Sequence, residues 1–331
     1  MRIVHAAHYS LRRDGTEFFN CEFKFLNGLS QNGHYVYPYS INDRARDNPL
    51  GTKRLGIAKA NRGLIETCTN IRPELLLLGH AQYIKPATLA HIRTLLPHIK
   101  IALWYVDPVY QPKDYAHLFP KIPHLDALFL TTGGKAIDQF RTNPSCQVQF
   151  IPNPADSNIE RLQADLDPNP KTYDLLFIGS DKGETERKAF LQALQTQAKD
   201  RLKLKFAGCL GQPSVWGDAK ERLLTQALMA LNHSRRNDLE LYSSDRIVQL
   251  AGNGLCTFSP ASSGLQKLYA PDQEMVFYRD LEDLVRKATE LARNPQRARA
   301  IGTAGRLRTH QDYSAKRIAE RMVEIAFHRP D

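Results

Sequence analysis

Short apolar runs alternate with amphipathic segments along the whole chain, and this alternation predicts strands and helices in turn. Apolar runs bounded by polar or small residues are typical of buried strands in a parallel sheet. In the first half of the chain they lie at residues 2–7, 35–39, 74–78, 100–106, 127–130 and 147–151. Helical periodicity separates them at residues 16–31, 53–72, 86–96 and 135–140. The βαβ alternation predicts a parallel sheet covered by helices.

The alternation stops at residues 151–172 and then begins again. This stretch contains four prolines and several Asp and Asn residues, which is typical of a domain boundary. Further strands are predicted at 173–178, 202–207, 229–231, 255–258 and 275–278, and helices at 184–199, 219–228, after Asp280, at 295–307 and at 315–327. We predict two doubly wound α/β domains, residues 1–160 and 161–312, with a ligand bound between the carboxyl ends of the two sheets.

Residues 242–270 carry the clearest candidate for an anion site. A short helical repeat ends at Asn253-Gly254, a strand follows, and the small residues 259–264 then lead to the predicted start of another helix. A helix start binds phosphate through its exposed N–H groups and its dipole, and Arg246 in the preceding helix would add a full charge. An ordinary αβα unit with a polar loop explains the same spacing equally well.

The charge balance points to anionic partners. The chain of 331 residues has a net charge of +10, and the basic excess is spread over both halves without a basic tail. That distribution argues against a nucleic-acid-binding protein. It fits an enzyme for anionic substrates, and it also fits peripheral contact with an anionic membrane surface.

The cysteines and the hydropathy indicate a cytoplasmic protein, with the inner face of the membrane as a second expected location. The five cysteines are far apart and include no Cys-x-x-Cys pair, so neither a disulfide framework nor a zinc site is indicated. The N-terminal stretch is too polar for a signal peptide. The longest aliphatic run is Leu75–Leu78, far shorter than a membrane-spanning helix.

Three polar residues of the first domain are candidates for catalysis. His80 follows the apolar run 74–78, and Asp14 and Glu17 follow the first strand; the carboxyl ends of parallel strands are where such folds bind ligands. A histidine there can shuttle protons, and a carboxylate can act as a general base. A surface histidine and an ordinary polar loop are the competing explanations.

In the second domain, Gly179 and Ser180 end the first strand and Arg187 follows in the next helix. A glycine lets a phosphate approach the backbone, and an arginine pairs with it. No Gly-x-Gly-x-x-Gly or Walker sequence is present, which argues against NAD binding and ATP hydrolysis. No His-x-x-x-His motif or Gly-x-Ser-x-Gly elbow is present either.

Several segments resemble the CgeB-like, spore-protein-type glycosyltransferases of GT-B fold. They are LWYVDP, FIPNPAD, LLFIGSDKGETERKAFLQAL, ALMALNHSRR, the run from SSDRIVQLAGNGLCTFSPASSGLQKLYA to ELARNP, and the closing helices. The resemblance implies two Rossmann-like domains facing across a cleft, with a last helix, residues 313–331, returning to the first domain. It implies a nucleotide-sugar donor, UDP- or GDP-linked, with no further cofactor and no bound metal ion.

The resemblance assigns the donor to a set of residues in the second domain. The set is Gly179, Ser180, Arg187, Asn232, Arg246, Gln249, Ser262, Ser263, Gly264 and Leu265. The family commonly has Arg-x-x-Glu in the signature helix, with the Glu on the donor ribose, whereas this chain has Gln249 after Arg246. Gln249 can hydrogen-bond a hydroxyl but adds no charge.

The predicted reaction is transfer of a sugar to an acceptor hydroxyl held by the first domain, for synthesis of surface polysaccharide, lipopolysaccharide or another glycoconjugate. Arg246, Arg187 and the amides of residues 262–265 would stabilise the leaving nucleoside diphosphate. The GT-B group nearest this family mostly retains the anomeric configuration, so retention is expected. A non-catalytic nucleotide-binding scaffold and a sugar-nucleotide epimerase remain as alternatives.

Overall fold

Strands and helices alternate through residues 1–183 and 185–327, which the computed structural model describes. The contacts divide the chain into two units. One consists of residues 1–154 together with the C-terminal helix, and the other of residues 155–314. The division at residues 154 and 314 lies close to the sequence prediction of 160 and 312, which remains a prediction.

Residues 1–154 form a sheet of six parallel strands in the order β2-β1-β3-β4-β5-β6. The strands are β1 (Arg2–Ala7), β2 (Tyr35–Ser40), β3 (Leu75–Gly79), β4 (Lys100–Tyr105), β5 (Ala127–Leu130) and β6 (Gln147–Phe150). The helices between them are α1 (Cys21–Gln31), α2 (Ile41–Arg46), α3 (Lys53–Ile71), α4 (Pro86–Leu95) and α5 (Pro112–Tyr115). Because β1 lies between β2 and β3, the strand order reverses at the carboxyl ends of β1 and β3.

The described residues of 155–314 form a second parallel sheet in the order β11-β10-β9-β7-β8. Its strands are β7 (Tyr173–Ile178), β8 (Leu204–Ala207), β9 (Ala227–Leu231), β10 (Cys256–Pro260) and β11 (Val276–Tyr278). Its helices are α6 (Thr185–Ala198), α7 (Gly217–Thr225), α8 (Asp245–Ala251), α9 (Leu281–Arg293) and α10 (Pro295–Asp312). The strand order reverses at β7, between β8 and β9.

The apolar runs of the sequence are the cores of these sheets. Every residue of β3, β5, β9 and β10 is buried, as expected for parallel strands with helices on both faces. The helix predicted after Asp280 is α9, and Asp280 caps it: its carboxylate accepts a hydrogen bond of 2.8 Å from the backbone N–H of Asp283. The prediction of two Rossmann-like parallel sheets is confirmed.

The last helix, α11 (Ala315–Phe327), packs on α1 of the first unit, which confirms the predicted return of the chain. Gly28 allows the close approach, since a Cβ atom there would lie 2.1 Å from the Ala315 carbonyl oxygen. Asn32 Nδ2 donates to the Lys316 carbonyl at 2.8 Å. Gln147 Nε2 donates to the Ile325 carbonyl at 3.0 Å, which ties the far end of the helix to β6.

Two predicted helices differ from the structure in their start or type, and one short helix has no counterpart in the prediction. The helix predicted at residues 16–31 begins only at Cys21, because Asp14 and Gly15 both adopt positive φ and residues 16–20 form turns. Residues 134–140 form a 3₁₀ rather than an α-helix. The helix α2 was not predicted, since its six residues are too few to show helical periodicity. Glu184, the predicted first residue of α6, lies outside the described residues.

Candidate functional site

The guanidinium group of Arg246 lies at the point where the strand order of the second sheet reverses. Its Nε donates to the Ile178 carbonyl at the end of β7, at 3.0 Å. Its Nη1 donates to the His233 carbonyl just beyond β9, at 3.1 Å. The side chain therefore joins the carboxyl ends of the two strands between which this fold class binds its ligands.

Gly179 and Phe177 form the surroundings of this guanidinium. A Cβ atom on Gly179 would lie 2.8 Å from Arg246 Nη2, so a larger residue would displace the arginine. The Phe177 ring lies under the guanidinium, 5.2 Å from centroid to Cζ, a distance at which a ring face attracts a cation. Gly179, which the sequence analysis assigned to phosphate approach, is thus needed for the position of Arg246 itself.

A second cation, Arg187, lies next to Arg246. Arg187 is buried and its Nη1 donates to the Ser180 carbonyl at 2.7 Å. Burial, and then the charge of Arg187, lowers the pKa of Arg246 to about 10. Within the part of the chain that the structure describes, Arg246 makes no ion pair. Two neighbouring cations at a strand end favour an anionic ligand, because its charge would relieve their repulsion.

His233 is a neutral member of this site that no sequence pattern predicts. Its ring stacks on Phe190 at 3.9 Å, and its Nδ1 lies 2.7 Å from Tyr278 Oη. Asn237 Nδ2 donates to its Nε2 at 3.1 Å. Burial, followed by the charges of Arg187 and Arg246, lowers the His233 pKa to about 3. The imidazole therefore adds no positive charge at neutral pH, and it was missed because no motif separates it from a core histidine.

Asn232, which the sequence analysis assigned to the donor, joins neighbouring strands. Its Nδ2 donates to Ser259 Oγ at 3.0 Å, and its Oδ1 accepts from Ser244 Oγ at 3.3 Å. The side chain is buried. Both ends of the Asn232 amide therefore help to order the strand end next to Arg246. A direct contact between Asn232 and a ligand remains a prediction.

The amide of Gln249 is enclosed by charged neighbours. Its Oε1 accepts from Lys220 Nζ, and its Nε2 donates to Asp245 Oδ2. A neutral amide can accept from an ammonium group with one end and donate to a carboxylate with the other. A glutamate at position 249 could not donate to Asp245. The replacement of the family's usual Glu by Gln249 therefore fits its surroundings, and the proposed contact with a ribose remains untested.

The predicted helix start at residues 262–265 is wrong. The structure has two short 3₁₀ turns, Ala261–Ser263 and Leu265–Lys267, separated by Gly264 at φ +69°. The left-handed glycine interrupts the helical hydrogen bonding, so no α-helix dipole is available there. Ser263 Oγ donates to the Pro260 carbonyl and Ser262 Oγ to the Asn237 carbonyl, and Leu265 is buried. Only the loop amides could contribute to binding an anion.

In the first unit, His80 lies at the predicted strand end. It follows β3 with φ +55°, and its backbone N–H donates to the Trp104 carbonyl at 3.1 Å. Its Nδ1 lies 3.6 Å from Asp107 Oδ2. Burial lowers the His80 pKa below its ordinary value, and the Asp107 carboxylate opposes that shift. His80 is therefore a half-buried, neutral imidazole with a carboxylate beside it.

Two further histidines surround His80. The ring of His8, directly beyond β1, stacks on His80 at a centroid distance of 5.7 Å. His117 Nε2 lies 2.9 Å from the His80 carbonyl oxygen. Burial, and then repulsion from the imidazolium that His80 forms when protonated, lowers the His8 pKa to about 3. His8 could have been found from the sequence by the strand-end rule that identified His80, because it follows the first strand directly.

The two carboxylates of the β1 loop have different surroundings. Asp14 is exposed and adopts φ +49°. Glu17 pairs with Arg13 and accepts from Asn20 Nδ2 at 3.3 Å. Glu17 is thus held by neighbours of its own loop, whereas His80 belongs to a cluster of aromatic and titratable groups. The catalytic assignment of Asp14 and Glu17 stays a prediction.

The described residues provide neither a metal-binding cluster nor a membrane-spanning helix. No group of three or more His, Cys, Asp or Glu side chains in residues 1–183 and 185–327 could hold a metal ion. None of the helices within these ranges is long and apolar enough to cross a membrane. All five cysteines are buried, and none of them forms a disulfide within the described residues.

The buried His5 of β1, which contacts Trp104 and Tyr9, predicts that the stability of the protein depends on pH. Trp104 Nε1 donates to His5 Nε2 at 3.2 Å, and His5 Nδ1 lies 2.6 Å from Tyr9 Oη. Burial lowers the His5 pKa to about 3, so the unfolded chain binds a proton here at a higher pH than the folded chain. Stability should fall as the pH drops from 6.5 towards 3, by up to about 1.4 kcal/mol per pH unit for this one group.

The test is chemical denaturation of wild type and His5→Gln between pH 7 and about pH 4.5. Glutamine can accept from Trp104 and donate to Tyr9 but does not titrate, so the variant should lose stability less steeply on acidification. His98→Gln, at an exposed position, is the control and should keep the wild-type slope. An unchanged slope in His5→Gln would contradict the assignment.

Comparison with known proteins supports the same fold. Residues 186–324 match a sequence family described as glycosyl transferase-like. A comparison with curated protein sequences finds no match. Sucrose-phosphate synthase from Thermosynechococcus elongatus superimposes with a TM-score of 0.62 at 13% identity, covering 98% of each chain.

Two other solved structures are similar over the whole length. Anabaena HepE in complex with UDP-glucose has a TM-score of 0.62 at 10% identity, with 98% of each chain covered. The UDP-forming α,α-trehalose-phosphate synthase from Burkholderia xenovorans has the same TM-score, identity and coverage. At these identities the likeness establishes the fold. The chain has the GT-B fold, with two parallel Rossmann-like sheets.

Proposed function

We propose that this protein is a glycosyltransferase that transfers a sugar from a nucleotide sugar to an acceptor hydroxyl. The observation that carries the proposal is Arg246, whose guanidinium lies at the strand-order reversal of the second sheet without an ion pair among the described residues. The glycosyl transferase-like match covers residues 186–324, which include this arginine. The similar HepE structure contains UDP-glucose.

The donor is assigned to the second unit. Its diphosphate would receive hydrogen bonds from Arg246 and Arg187, and from loop amides at residues 262–265. Negative charge develops on the leaving diphosphate as the glycosidic bond breaks, and cations held in place beforehand stabilise that charge. The UDP or GDP moiety of the donor needs no further cofactor in this scheme.

The acceptor is assigned to the first unit, where His80 and Asp107 lie at the carboxyl edge of the sheet. A neutral imidazole accepts a proton or hydrogen-bonds a hydroxyl, and the carboxylate 3.6 Å away would stabilise the imidazolium. We therefore assign His80 to the reacting end of the substrates. The acceptor class proposed is a carbohydrate or glycoconjugate of surface polysaccharide or lipopolysaccharide synthesis.

Three finer assignments belong to the same proposal. The subtype is CgeB-like, on the resemblance of the segments at residues 175–194 and 243–295. The reaction is metal-independent, because Arg246 and Arg187 can supply the positive charge that a metal ion gives elsewhere. The anomeric configuration is retained, as in the GT-B group nearest this family.

The experiment is a thermal-shift screen of UDP, GDP and their sugars, followed by transfer assays with the sugar that stabilises the protein. A ligand that binds the native state raises the midpoint by mass action. We expect one nucleotide series to do so in EDTA as well as in magnesium, with equal turnover in both. Loss of turnover in EDTA that manganese or magnesium restores would contradict metal independence.

A non-catalytic scaffold is the second candidate, and the enclosed amide of Gln249 favours it. Lys220 and Asp245 already hydrogen-bond both ends of that amide. Because residue 249 is Gln, the donor ribose would also lack the carboxylate that the family commonly provides. A scaffold would bind the nucleotide sugar and leave it intact. An epimerase would instead change the sugar without an acceptor, so product analysis separates all three activities.

A further inference from the structure

Three exposed leucines lie on neighbouring elements of the first unit. Leu11 is 58%, Leu50 72% and Leu55 61% exposed. Leu11 lies in the 3₁₀ turn after β1, Leu50 in the loop between α2 and α3, and Leu55 in the first turn of α3. Isolated exposed leucines are common, but several on one surface indicate an interaction site.

Hydrogen bonds join the elements that carry these leucines. The backbone N–H of Leu11 donates to Asp43 Oδ2 at 2.8 Å, which fixes the turn on α2. Arg12 Nη1 donates to the Arg46 carbonyl at 3.0 Å. The turn with Leu11 is therefore adjacent to the end of α2, where the loop with Leu50 begins.

Contacts of α3 place Leu55 beside the same loop. Gly56 packs so closely on α2 that a Cβ atom would lie 1.8 Å from the Ala45 carbonyl oxygen. Lys59 lies one turn after Leu55 on the same helix face, and its Nζ donates to Asp47 Oδ2 at 2.6 Å. These contacts bring together the segments that carry Leu11, Leu50 and Leu55, and we call the three leucines the leucine patch.

The segments that carry the leucine patch are rich in basic residues. Residues 11–14 and 43–59 contain seven Lys and Arg residues and three Asp residues, a local excess of four positive charges. The basic residues are Arg12, Arg13, Arg44, Arg46, Lys53, Arg54 and Lys59. Exposed apolar side chains within a positive surface match an anionic bilayer, because the leucines can enter the headgroup region while the cations remain at the phosphates.

We infer that the leucine patch docks the protein on an anionic phospholipid bilayer. The leucines supply apolar burial, and the surrounding arginines and lysines supply attraction that salt weakens. The patch follows the carboxyl ends of β1 and β2, so docking would place this edge of the first sheet near the lipid. The inference concerns surface binding and does not depend on the proposed transfer reaction.

The test is co-sedimentation of the full chain with vesicles of phosphatidylglycerol and phosphatidylcholine, and with vesicles of phosphatidylcholine alone, without a nucleotide sugar. Wild type should sediment with the anionic vesicles and dissociate as salt rises. Leu50→Ser combined with Leu55→Ser should partition about tenfold less, as should Arg54→Glu. These residues are exposed, so thermal unfolding should be unchanged.

Matched variants on the second unit provide the controls. Leu166 is 58% exposed, as is Leu11, and Arg201 is an exposed arginine. Leu166→Ser and Arg201→Glu should bind anionic vesicles as wild type does. The inference is overturned if wild type does not sediment with anionic vesicles, if it binds phosphatidylcholine equally well, or if the paired leucine variant binds as wild type does.

Discussion

Arg246→Ala should weaken binding of the nucleoside diphosphate at least about tenfold, since a charge-assisted hydrogen bond to phosphate contributes about 1.5–3 kcal/mol. The guanidinium lies beside Arg187 at the ends of β7 and β9 and makes no ion pair within residues 1–183 and 185–327. Its loss removes one of two cations and leaves the carbonyls of Ile178 and His233 without that donor. Thermal stability should therefore fall as well.

Isothermal titration with UDP or GDP, whichever stabilises wild type, measures the effect. Arg235→Ala is the matched control, because Arg235 lies in the exposed segment beyond β9, close in sequence to His233. Arg246→Lys should recover part of the affinity, since it keeps a charge but not the fork of donors. Equal losses in Arg246→Ala and Arg235→Ala would refute the placement of the diphosphate.

His80→Ala should lower turnover about a hundredfold or more while nucleotide affinity changes little, which is the effect of losing a group that acts on the reacting atoms. His80 is half-buried against Trp104 and has Asp107 3.6 Å from its Nδ1. Burial lowers its pKa below 6.5, so the neutral base persists at neutral pH. Wild-type turnover should therefore fall only on acidification below about pH 6.5.

Steady-state kinetics across pH 5–8, with nucleotide titration in parallel, provide the measurement. His98→Ala, at an exposed position in the same unit, is the control and should resemble wild type. The acid limb should disappear in His80→Ala, because the titrating group is gone. A variant that keeps turnover within a few-fold of wild type would show that His80 is only a structural histidine.

The fold was predictable because its signals are periodic and local. The apolar side chains of LLLLG in β3 and KIALWY in β4 can all be buried only in a sheet that helices cover on both faces. The capping aspartate at position 280 marked the start of α9. The six residues of α2 and the 3₁₀ turns around Gly264 were not predicted, since fewer than two helical turns show no periodicity and a left-handed glycine depends on its tertiary contacts.

The candidate site was only partly predictable, for a different reason. Strand ends identify which residues reach the ligand edge, and this rule predicts His80 and Gly179, whereas Arg246 is predicted from its place in the helix before the loop of residues 259–264. The rule does not predict which of their polar atoms are already hydrogen-bonded to other residues of the protein. Asn232 and Gln249 were assigned to the donor, yet their amides contact Ser259, Lys220 and other side chains, and such long-range partners are set by packing that no local pattern records.

The pairing of α11 with α1 has a consequence for synthesis on the ribosome. Residues 1–154 are translated first, but the helix that covers one face of their sheet is translated only after residues 155–314. Residues 155–314 can fold while Phe25 and Leu29 of α1 still lack their partners Ile318 and Met322. The first unit is therefore completed only after residues 155–314 have been synthesised, and a chain that stops before Ala315 leaves this apolar surface open to chaperones and proteases.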